Sequence, residues 1–362
     1  MPEMEQPQVN LARPTALRMW MIFGCALAAV IYSAAGDGFA SLGIAIASLG
    51  TALFSEALAL HFARLWKNSP LNPAPEGPGG VFPEGGRITG NGIAGGRIAD
   101  GRIADGSAAA SAMIFVLLLP NSVNPLYVIL GACFAMLLVK FSFGGLGANW
   151  VNPALGAWIF LRLSWPGLFN QVQGLHTGGG GSLDAAVGDF FNKTVFSFTG
   201  AELPSGYVDL FLGLRGEGII ADRGLPLLIL GTLLLSAVQV SRLWIPAVYL
   251  AFYALLVRVF GALPGGGGIG EGDIFYCLFS GGTLAAAFFL VSDPATGAKT
   301  LPGMLAAALL TAFFSFLFRY PGADHCGAFS AVLLVNAVVP LIRRLESRRS
   351  RWIPASVPGK NR

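Results

Sequence analysis

The chain has 362 residues, of which 54% are hydrophobic and only 12% are charged, and its mean hydropathy is +0.65. Soluble proteins carry about 25% charged residues, so this composition excludes an ordinary soluble protein and indicates an integral membrane protein. The net charge of +4 comes without a basic stripe that alternates with aromatic residues, which argues against nucleic-acid binding.

Ten apolar segments follow one another along the chain. Most of them reach roughly 17 to 22 residues, which is long enough for a helix to cross the bilayer. The third segment and the end of the eighth are short or end at a proline, and such breaks must face protein or water. The sequence therefore predicts an all-α, polytopic membrane protein with helices at 16–34, 39–62, 107–121, 125–142, 152–168, 225–241, 243–262, 275–292, 300–319 and 324–342.

Polar segments divide these helices into two groups of five. A Gly- and Pro-rich insert contains four near-repeats of five residues, for which a flexible loop is favoured over a β-solenoid because such short units bury almost no surface. The predicted organisation is an N-terminus at 1–15, a first repeat at 16–168 with the insert at 68–105, a polar loop at 169–224, a second repeat at 225–342 and a basic tail at 343–362.

The lysines and arginines predict the orientation, because short cytoplasmic loops carry an excess of these residues. With the N-terminus inside, the inner positions include Arg64, Lys67, Arg242 and Lys299, and the tail adds further arginines. Both termini are therefore predicted to be cytoplasmic, with the loop at 169–224 outside.

The two groups of helices break in matching places. The first group contains Pro120 and a Gly-rich hinge at 144–156, and the second contains Pro294 and a polar hinge at 321–330. Because each group has an odd number of spans, the second group must enter the membrane upside down relative to the first. Many transporters have this inverted-repeat design, with binding sites at discontinuous helices.

One acidic residue lies within a predicted span. Glu56 is in the second segment, where a carboxylate at the helix centre costs about 2.5–3.5 kcal/mol on insertion scales. It is either a relay for a cation or a proton, or the partner of Arg64 or Lys67 near the inner end of the span.

Two polar residues directly precede prolines at the breaks. Asp293 lies before Pro294, and Asn152 lies before Pro153. Each either caps the segment that follows, since Asp and Asn are favoured at N-caps and proline at the first helical position, or helps to coordinate an ion at a broken helix.

The remaining charged residues of the spans are predicted to be interfacial. Lys140, Arg162 and Arg258 are interpreted as anchors, and Arg319 lies near a span end from which it can reach water. The four cysteines lack C-x-x-C spacing and are predicted to pack, and the three histidines form no metal-binding or catalytic pattern. No catalytic residue and no metal site is predicted.

Several stretches carry unusual motifs. Residues 144–156 read G-G-L-G-A-N-W-V-N-P-A-L-G, and residues 327–336 read G-A-F-S-A-V-L-L-V-N. Shorter motifs are S-E-A at 55–57, D-G-S-A at 105–108, L-F-L-G at 210–213 and S-D-P-A-T at 292–296. Together they resemble a family that comprises the D subunits of Rnf-type ion-translocating electron transport complexes and the B subunits of Na⁺-translocating NADH:quinone reductases. The matches reach from the second to the tenth span.

The resemblance implies a subunit of an oxidoreductase complex that couples electron transfer to Na⁺ or H⁺ movement and is not active alone. It implies a multi-pass protein of the cell inner membrane whose partners are the other subunits of the complex and the lipid bilayer, with no nucleic acid.

The resemblance also implies FMN, with riboflavin as a second flavin. In this family FMN is attached by a phosphoester bond to the threonine of an S-G-A-T or T-G-A-T motif in the outer loop. The best match here is Thr199, Gly200 and Ala201, with Glu202 at the acceptor position. A carboxylate cannot replace the threonine, so covalent attachment would need a local shift to Thr199 or Thr194.

Three hypotheses follow from the sequence. The chain is a redox-active flavoprotein subunit of an Rnf-type complex, a flavin-less scaffold and ion path of the same complex, or a free-standing inverted-repeat transporter.

Overall fold

The structure is a computed structural model that describes residues 15–36, 39–67, 105–141, 151–172, 182–194, 206–214, 218–238, 242–293, 296–298 and 300–350. Within these ranges the chain forms helices and turns, and its one isolated bridge joins Pro120 to Ile219. Helices occupy each of the ten predicted segments, so the all-α prediction is confirmed.

The first group of helices ends at residue 172. Its members are α1 (Thr15–Gly36), α2 (Ala40–Lys67), α3 (Ser107–Leu117), α4 (Pro125–Cys133, continued by a π-helical turn at Phe134–Lys140) and α5 (Pro153–Ser164, followed by a 3-10 helix at Pro166–Val172). Helix α4 begins where the Asn124 side chain accepts a hydrogen bond from the Leu126 amide at 2.9 Å, with Pro125 as first residue. This cap is local, so the sequence alone specifies where the helix starts.

The described part of the polar segment contains three short helices, namely α6 (Ser182–Thr194), α7 (Tyr207–Phe211) and α8 (Ile220–Arg223). The glycine of the L-F-L-G motif, Gly213, has φ +69°, and a Cβ atom there would lie 2.3 Å from the Arg223 carbonyl oxygen. Only glycine permits this approach. The motif thus lets the α7 turn pack on α8.

The second group contains α9 (Leu225–Ala237), α10 (Trp244–Phe260, followed by a 3-10 turn at Leu263–Gly265), α11 (Ile274–Phe279), α12 (Thr283–Ala285, continued by a π-helical turn at Ala286–Val291), α13 (Leu301–Arg319) and α14 (Gly327–Ser350). The eighth predicted span is therefore two pieces, α11 and α12. Between them, Gly281 and Gly282 have φ values of 69° and 68°.

Among the described residues, five helices are long and apolar enough to cross a membrane, namely Ala16–Gly36, Ala40–Ala63, Trp244–Gly265, Leu301–Arg319 and Gly327–Glu346. Three shorter apolar helices lie at Ser107–Leu117, Pro125–Lys140 and Leu225–Ala237. Large apolar side chains remain exposed on the helices, including Ile46, Phe54, Leu138, Leu163 and Leu255. Exposed apolar surface of this extent is typical of contact with lipid or other proteins.

The core lies where the two groups meet. The Trp158 ring of α5 packs edge-on against the Phe329 ring of α14, with 5.3 Å between ring centroids, and both side chains are fully buried. Within the first group, α5 packs closely on the π-helical turn after α4, because a Cβ atom on Gly156 would lie 2.7 Å from a Val139 methyl carbon. The last helix of each group therefore shares one core.

Candidate functional site

Glu56 lies in a buried ion pair. Glu56 and Lys140 are each 3% exposed, and the Lys140 Nζ donates hydrogen bonds to Glu56 Oε1 and, at 2.7 Å, to Ser107 Oγ. Helix α2 supplies the carboxylate, the π-helical turn after α4 supplies the ammonium, and the first residue of α3 supplies the hydroxyl. Three helices of the first group therefore meet at one charged cluster.

The cluster corrects two expectations from the sequence. The partner of Glu56 is Lys140, which lies 84 residues away, rather than Arg64 or Lys67. Lys140 was predicted to be an interfacial anchor, which was wrong because its ammonium lies inside the helix bundle. A buried charge requires a close partner of opposite sign, and Glu56 provides one.

One oxygen of Glu56 forms no hydrogen bond within the described part of the chain. Its Oε2 atom is buried and has no hydrogen-bond partner among the residues that the structure describes. An ionised carboxylate oxygen accepts more than one hydrogen bond, and a protonated one donates. The atom can therefore take a proton or contact a cation, which leaves the relay hypothesis as a prediction.

Arg319 occupies a comparable place in the second group. Arg319 is 8% exposed, and its Nη1 donates to the Ser280 carbonyl at 2.8 Å, the Cys277 carbonyl at 3.1 Å and Thr283 Oγ1 at 3.1 Å. The prediction that Arg319 reaches water from a span end was wrong. The last carbonyls of α11 have no partner within their helix, and the fork of donors on the arginine satisfies them.

Asp222 faces the same helix break. Its carboxylate accepts hydrogen bonds from the Gly281 and Gly282 amides, each at 2.8 Å. Asp222 is 5% exposed and lies in α8, outside both groups of apolar helices. The polar segment therefore supplies the anion at the start of α12, where Arg319 satisfies the carbonyls at the end of α11.

The cluster around Lys140 and the cluster around Arg319 share a local pattern. Helix α3 begins with Ser107 after the left-handed Gly106, at φ 73°, and α12 begins with Thr283 after the left-handed Gly282, at φ 68°. In each case the hydroxyl accepts a hydrogen bond from a cation at the end of the helix that follows. The two groups thus resemble one another in detail that the sequence motifs did not include.

Asn152 connects the two groups directly. Its Oδ1 accepts from the Ala154 amide at 3.0 Å, so it caps α5, and its Nδ2 donates to Asp293 Oδ2 at 3.0 Å. Asp293 also accepts from Thr296 Oγ1 at 3.2 Å. The capping prediction for Asn152 is confirmed, and the same side chain contacts the break in the other group.

Asp293 itself does not cap the next described helix. That helix, α13, begins at Leu301, where the Thr300 hydroxyl accepts from the Gly303 amide at 3.3 Å. The segment that directly follows Asp293 begins at Pro294, which lies outside the described residues, so the capping prediction for Asp293 stays a prediction. Its carboxylate joins this break to α5 through Asn152.

Two other predicted anchors make polar contacts. Arg162 is paired with Asp324 at 2.7 Å, which connects the end of α5 to the hinge before α14. Arg258 donates to the Gly272 carbonyl at 3.3 Å.

In the polar segment, burial and the hydrogen bond to Asp273 raise the pKa of Tyr207, so its phenol stays protonated.

Some predicted positions lie outside the described residues. They are the flavin-motif positions Thr199, Gly200, Ala201 and Glu202, together with Pro294, most of the 144–156 hinge and nearly all of the 68–105 insert. The four cysteines are free, and the described residues hold no group of three or more metal-binding side chains.

Sequence reasoning missed Asp222 and the burial of Arg319. A signal was present, because Gly281 and Gly282 form a pair within an apolar span and end its helix. Such a break leaves unpaired carbonyls and amides that buried charges can satisfy. The partners themselves are distant in sequence.

Comparison with known proteins gives the family. Residues 94–351 match the family described as NQR2, RnfD, RnfE, and the chain belongs to that family. The D subunit of the proton-translocating ferredoxin:NAD(+) oxidoreductase complex of Clostridium ljungdahlii is 31% identical over 242 residues, which covers 65% of this chain and 71% of the relative.

Two further relatives are equally similar. The D subunit of the Na(+)-translocating ferredoxin:NAD(+) oxidoreductase complex of Acetobacterium woodii is 31% identical over 244 residues, with 67% of this chain and 72% of the relative covered. The D subunit of the ion-translocating oxidoreductase complex of Halorhodospira halophila is 32% identical over 260 residues, with 65% and 70% covered. The resemblance found in the sequence motifs is thereby confirmed.

Proposed function

We propose that this chain is a membrane subunit of an ion-translocating oxidoreductase complex of the Rnf type. The observation that carries the proposal is family membership across residues 94–351, together with relatives that are named as D subunits of such complexes. The partners are the other subunits of the complex and the lipid bilayer. A free-standing transporter is disfavoured, because it rests on architecture alone.

The proposed architecture is ten helices in two inverted repeats, 16–168 and 225–342, separated by the loop at 169–224. The shared pattern at Ser107 and Thr283 supports it. Ser107 begins the third helix of the first group, and Thr283 begins the second piece of the corresponding span in the second group. Each hydroxyl accepts a hydrogen bond from a cation at the end of the next helix. In the cell inner membrane both termini would be cytoplasmic. Lys140 would then lie toward the inner side and Arg319 toward the outer side.

The proposed ion path runs through Glu56 and past the contact between Asn152 and Asp293. Glu56 has a buried oxygen without a partner in the described part of the chain, and Asp293 is a carboxylate at a helix break. Intramembrane carboxylates are expensive to bury and commonly mark proton or cation pathways. Na⁺ and H⁺ both suit these groups.

Flavin belongs to the proposal only in a non-covalent form or at Thr199. The phosphoester route needs a hydroxyl, and Glu202 offers none at the acceptor position. Bound flavin would supply one-electron and two-electron redox chemistry. The chain's own residues would orient it and, at Glu56, hold or pass a proton.

In-gel fluorescence tests the flavin proposal. The denatured, purified chain is run beside the Thr199→Ala and Thr194→Ala variants, and flavin in the native complex is measured by extraction. A fluorescent band that Thr199→Ala removes supports attachment there, whereas extractable flavin without a band supports non-covalent binding. A chain without flavin in either assay is the scaffold and ion path.

Membrane vesicles test the function itself. Vesicles from cells that express the tagged chain are supplied with reduced ferredoxin and NAD⁺, and Na⁺ uptake and internal pH are followed together. We expect the other subunits to co-purify with the tag and ion uptake to disappear when the gene is deleted. Full ion uptake without this chain, or purification of the chain without any partner subunit, would refute the proposal.

A further inference from the structure

A cavity of about 280 Å³ lies beside the helix break at 292–298 in the second group of helices. Helices α10, α13 and α14 and the end of the π-helical turn after α12 form its walls, and α1 contributes one arginine. Its polar lining residues are Arg18, Arg242, Ser292, Asp293, Thr296, Asn336 and Thr311, whose hydroxyl donates to the Ala307 carbonyl. Three of these lie in the S-D-P-A-T motif, and Asn336 is the last residue of the motif at 327–336. Of these four motif residues, only Asp293 belongs to the proposed ion path.

Two residues that line the cavity each carry a buried donor that has no acceptor in the described part of the chain. Asn336 is 5% exposed, and its Nδ2 has no hydrogen-bond partner among the described residues. The Arg18 Nε atom is buried and equally unpaired within that part of the chain. Buried polar atoms are nearly always hydrogen-bonded, so the two atoms indicate a bound group that supplies acceptor oxygens.

The charges of the cavity favour an anion. Arg18 and Arg242 both line it, and in the described ranges neither forms an ion pair with a carboxylate. The carboxylate in the lining, Asp293, already accepts from Asn152 and Thr296. The guanidinium fork matches the geometry of phosphate oxygens, which makes phosphate the better fit among common oxyanions.

The rest of the wall is apolar and held in place. Ile245, Met304 and Val335 are among the lining residues. The segment at 296–298 is fastened to α14, because the Arg343 Nε donates to the Gly297 carbonyl at 3.2 Å. The site is therefore preformed, with room for apolar atoms beside the donors.

We propose that this cavity binds a phosphate oxyanion through Arg18, Arg242 and Asn336. The phosphate comes either from the head group of a membrane phospholipid or from a soluble phosphate ester. This inference goes beyond the role of the chain in electron transport, and its test does not depend on activity.

Native mass spectrometry of the purified complex tests the lipid source. The complex is exchanged into detergent with phosphatidylglycerol or with a phosphate-free glycolipid as the probe. We expect one phosphatidylglycerol per chain and no retained glycolipid, with at least a roughly tenfold loss of retention in the double variant Arg18→Gln, Asn336→Leu. Arg242→Gln, at the exposed rim, should weaken retention without affecting folding.

A thermal-shift series tests the soluble source. Inorganic phosphate should raise the Tm of the complex above that in chloride at equal ionic strength, and the double variant should abolish this rise. The matched control is Arg258→Gln, which removes an arginine outside the cavity and should bind phosphatidylglycerol and inorganic phosphate like the wild type. The proposal would be overturned if the wild type, Arg242→Gln and the double variant bound phosphatidylglycerol equally and bound inorganic phosphate equally. A tightly bound molecule that contains no phosphorus would also overturn it.

Discussion

The two buried cations show how similar helix geometry can support different chemistry. Lys140 binds Ser107 and a carboxylate, whereas Arg319 binds Thr283 and carbonyl oxygens that cannot titrate. The first cluster contains the Glu56 Oε2 atom, which has no hydrogen-bond partner in the described part of the chain and lies on the proposed ion path. Arg319 in the second cluster keeps its charge at all accessible pH values because an arginine does not deprotonate in proteins. We therefore expect the proposed exchange of a proton or a cation at the first cluster, whereas Arg319 stabilises a helix break.

Lys140→Met should produce the largest change. It leaves the Glu56 carboxylate buried without its counter-charge, which typically costs about 3–5 kcal/mol when one member of a buried pair is removed. The measurement is the Tm of the purified complex and its yield in the membrane. The double variant Glu56→Gln, Lys140→Met should recover most of the stability, and a double variant as unstable as Lys140→Met would show that the ion pair is not the cause.

Arg319→Lys should cost less, about 2 kcal/mol, because it retains the charge but loses the fork that serves several oxygens at once. Thermal unfolding of the complex measures this loss. The Arg258→Lys variant is the control, since in the described part of the chain Arg258 makes a single 3.3 Å bond, to the Gly272 carbonyl. Equal effects at the two positions would contradict a special role for Arg319 at the helix break.

Glu56→Gln should impair transport beyond its effect on folding. Glutamine still accepts a bond from Lys140 but removes the counter-charge of the buried ammonium, so stability should fall by about 2 kcal/mol, less than for Lys140→Met because one hydrogen bond is kept. Ion uptake by vesicles should fall roughly tenfold, equivalent to about 1.4 kcal/mol, while the variant complex still assembles. Unchanged ion uptake at normal expression would remove Glu56 from the ion path.

Asn152→Ala should lower the stability of the complex by about 1–2 kcal/mol. It removes both the α5 cap and the bond to Asp293. Asn124→Ala is a matched control, because Asn124 caps α4 in the same way and precedes a proline as well. Thermal unfolding of both variants gives the excess loss at Asn152, which measures the contact between the two groups, and equal losses would mean that the contact contributes nothing.

The sequence predicted local features far better than distant ones. Helix locations and the cap at Asn152 depend on hydropathy and on residues two positions apart, and both were found in the structure. Lys140 and Arg319 were misplaced because their partners lie 84 and 36 or more residues away. A search for counter-charges among near neighbours pointed to Arg64 and Lys67 instead, and no local pattern distinguishes an interfacial cation from a buried one.

Helix α8 has a mechanical consequence. Its first amide, on Ile220, donates to the Leu119 carbonyl at 2.9 Å beside the proline break of the first group, and its Asp222 holds the amides of Gly281 and Gly282 in the second. Four residues therefore fasten the polar segment to both discontinuities at once. A force that displaces this short helix acts on both groups of helices. A partner subunit that binds the polar segment would therefore displace the two helix breaks at the same time.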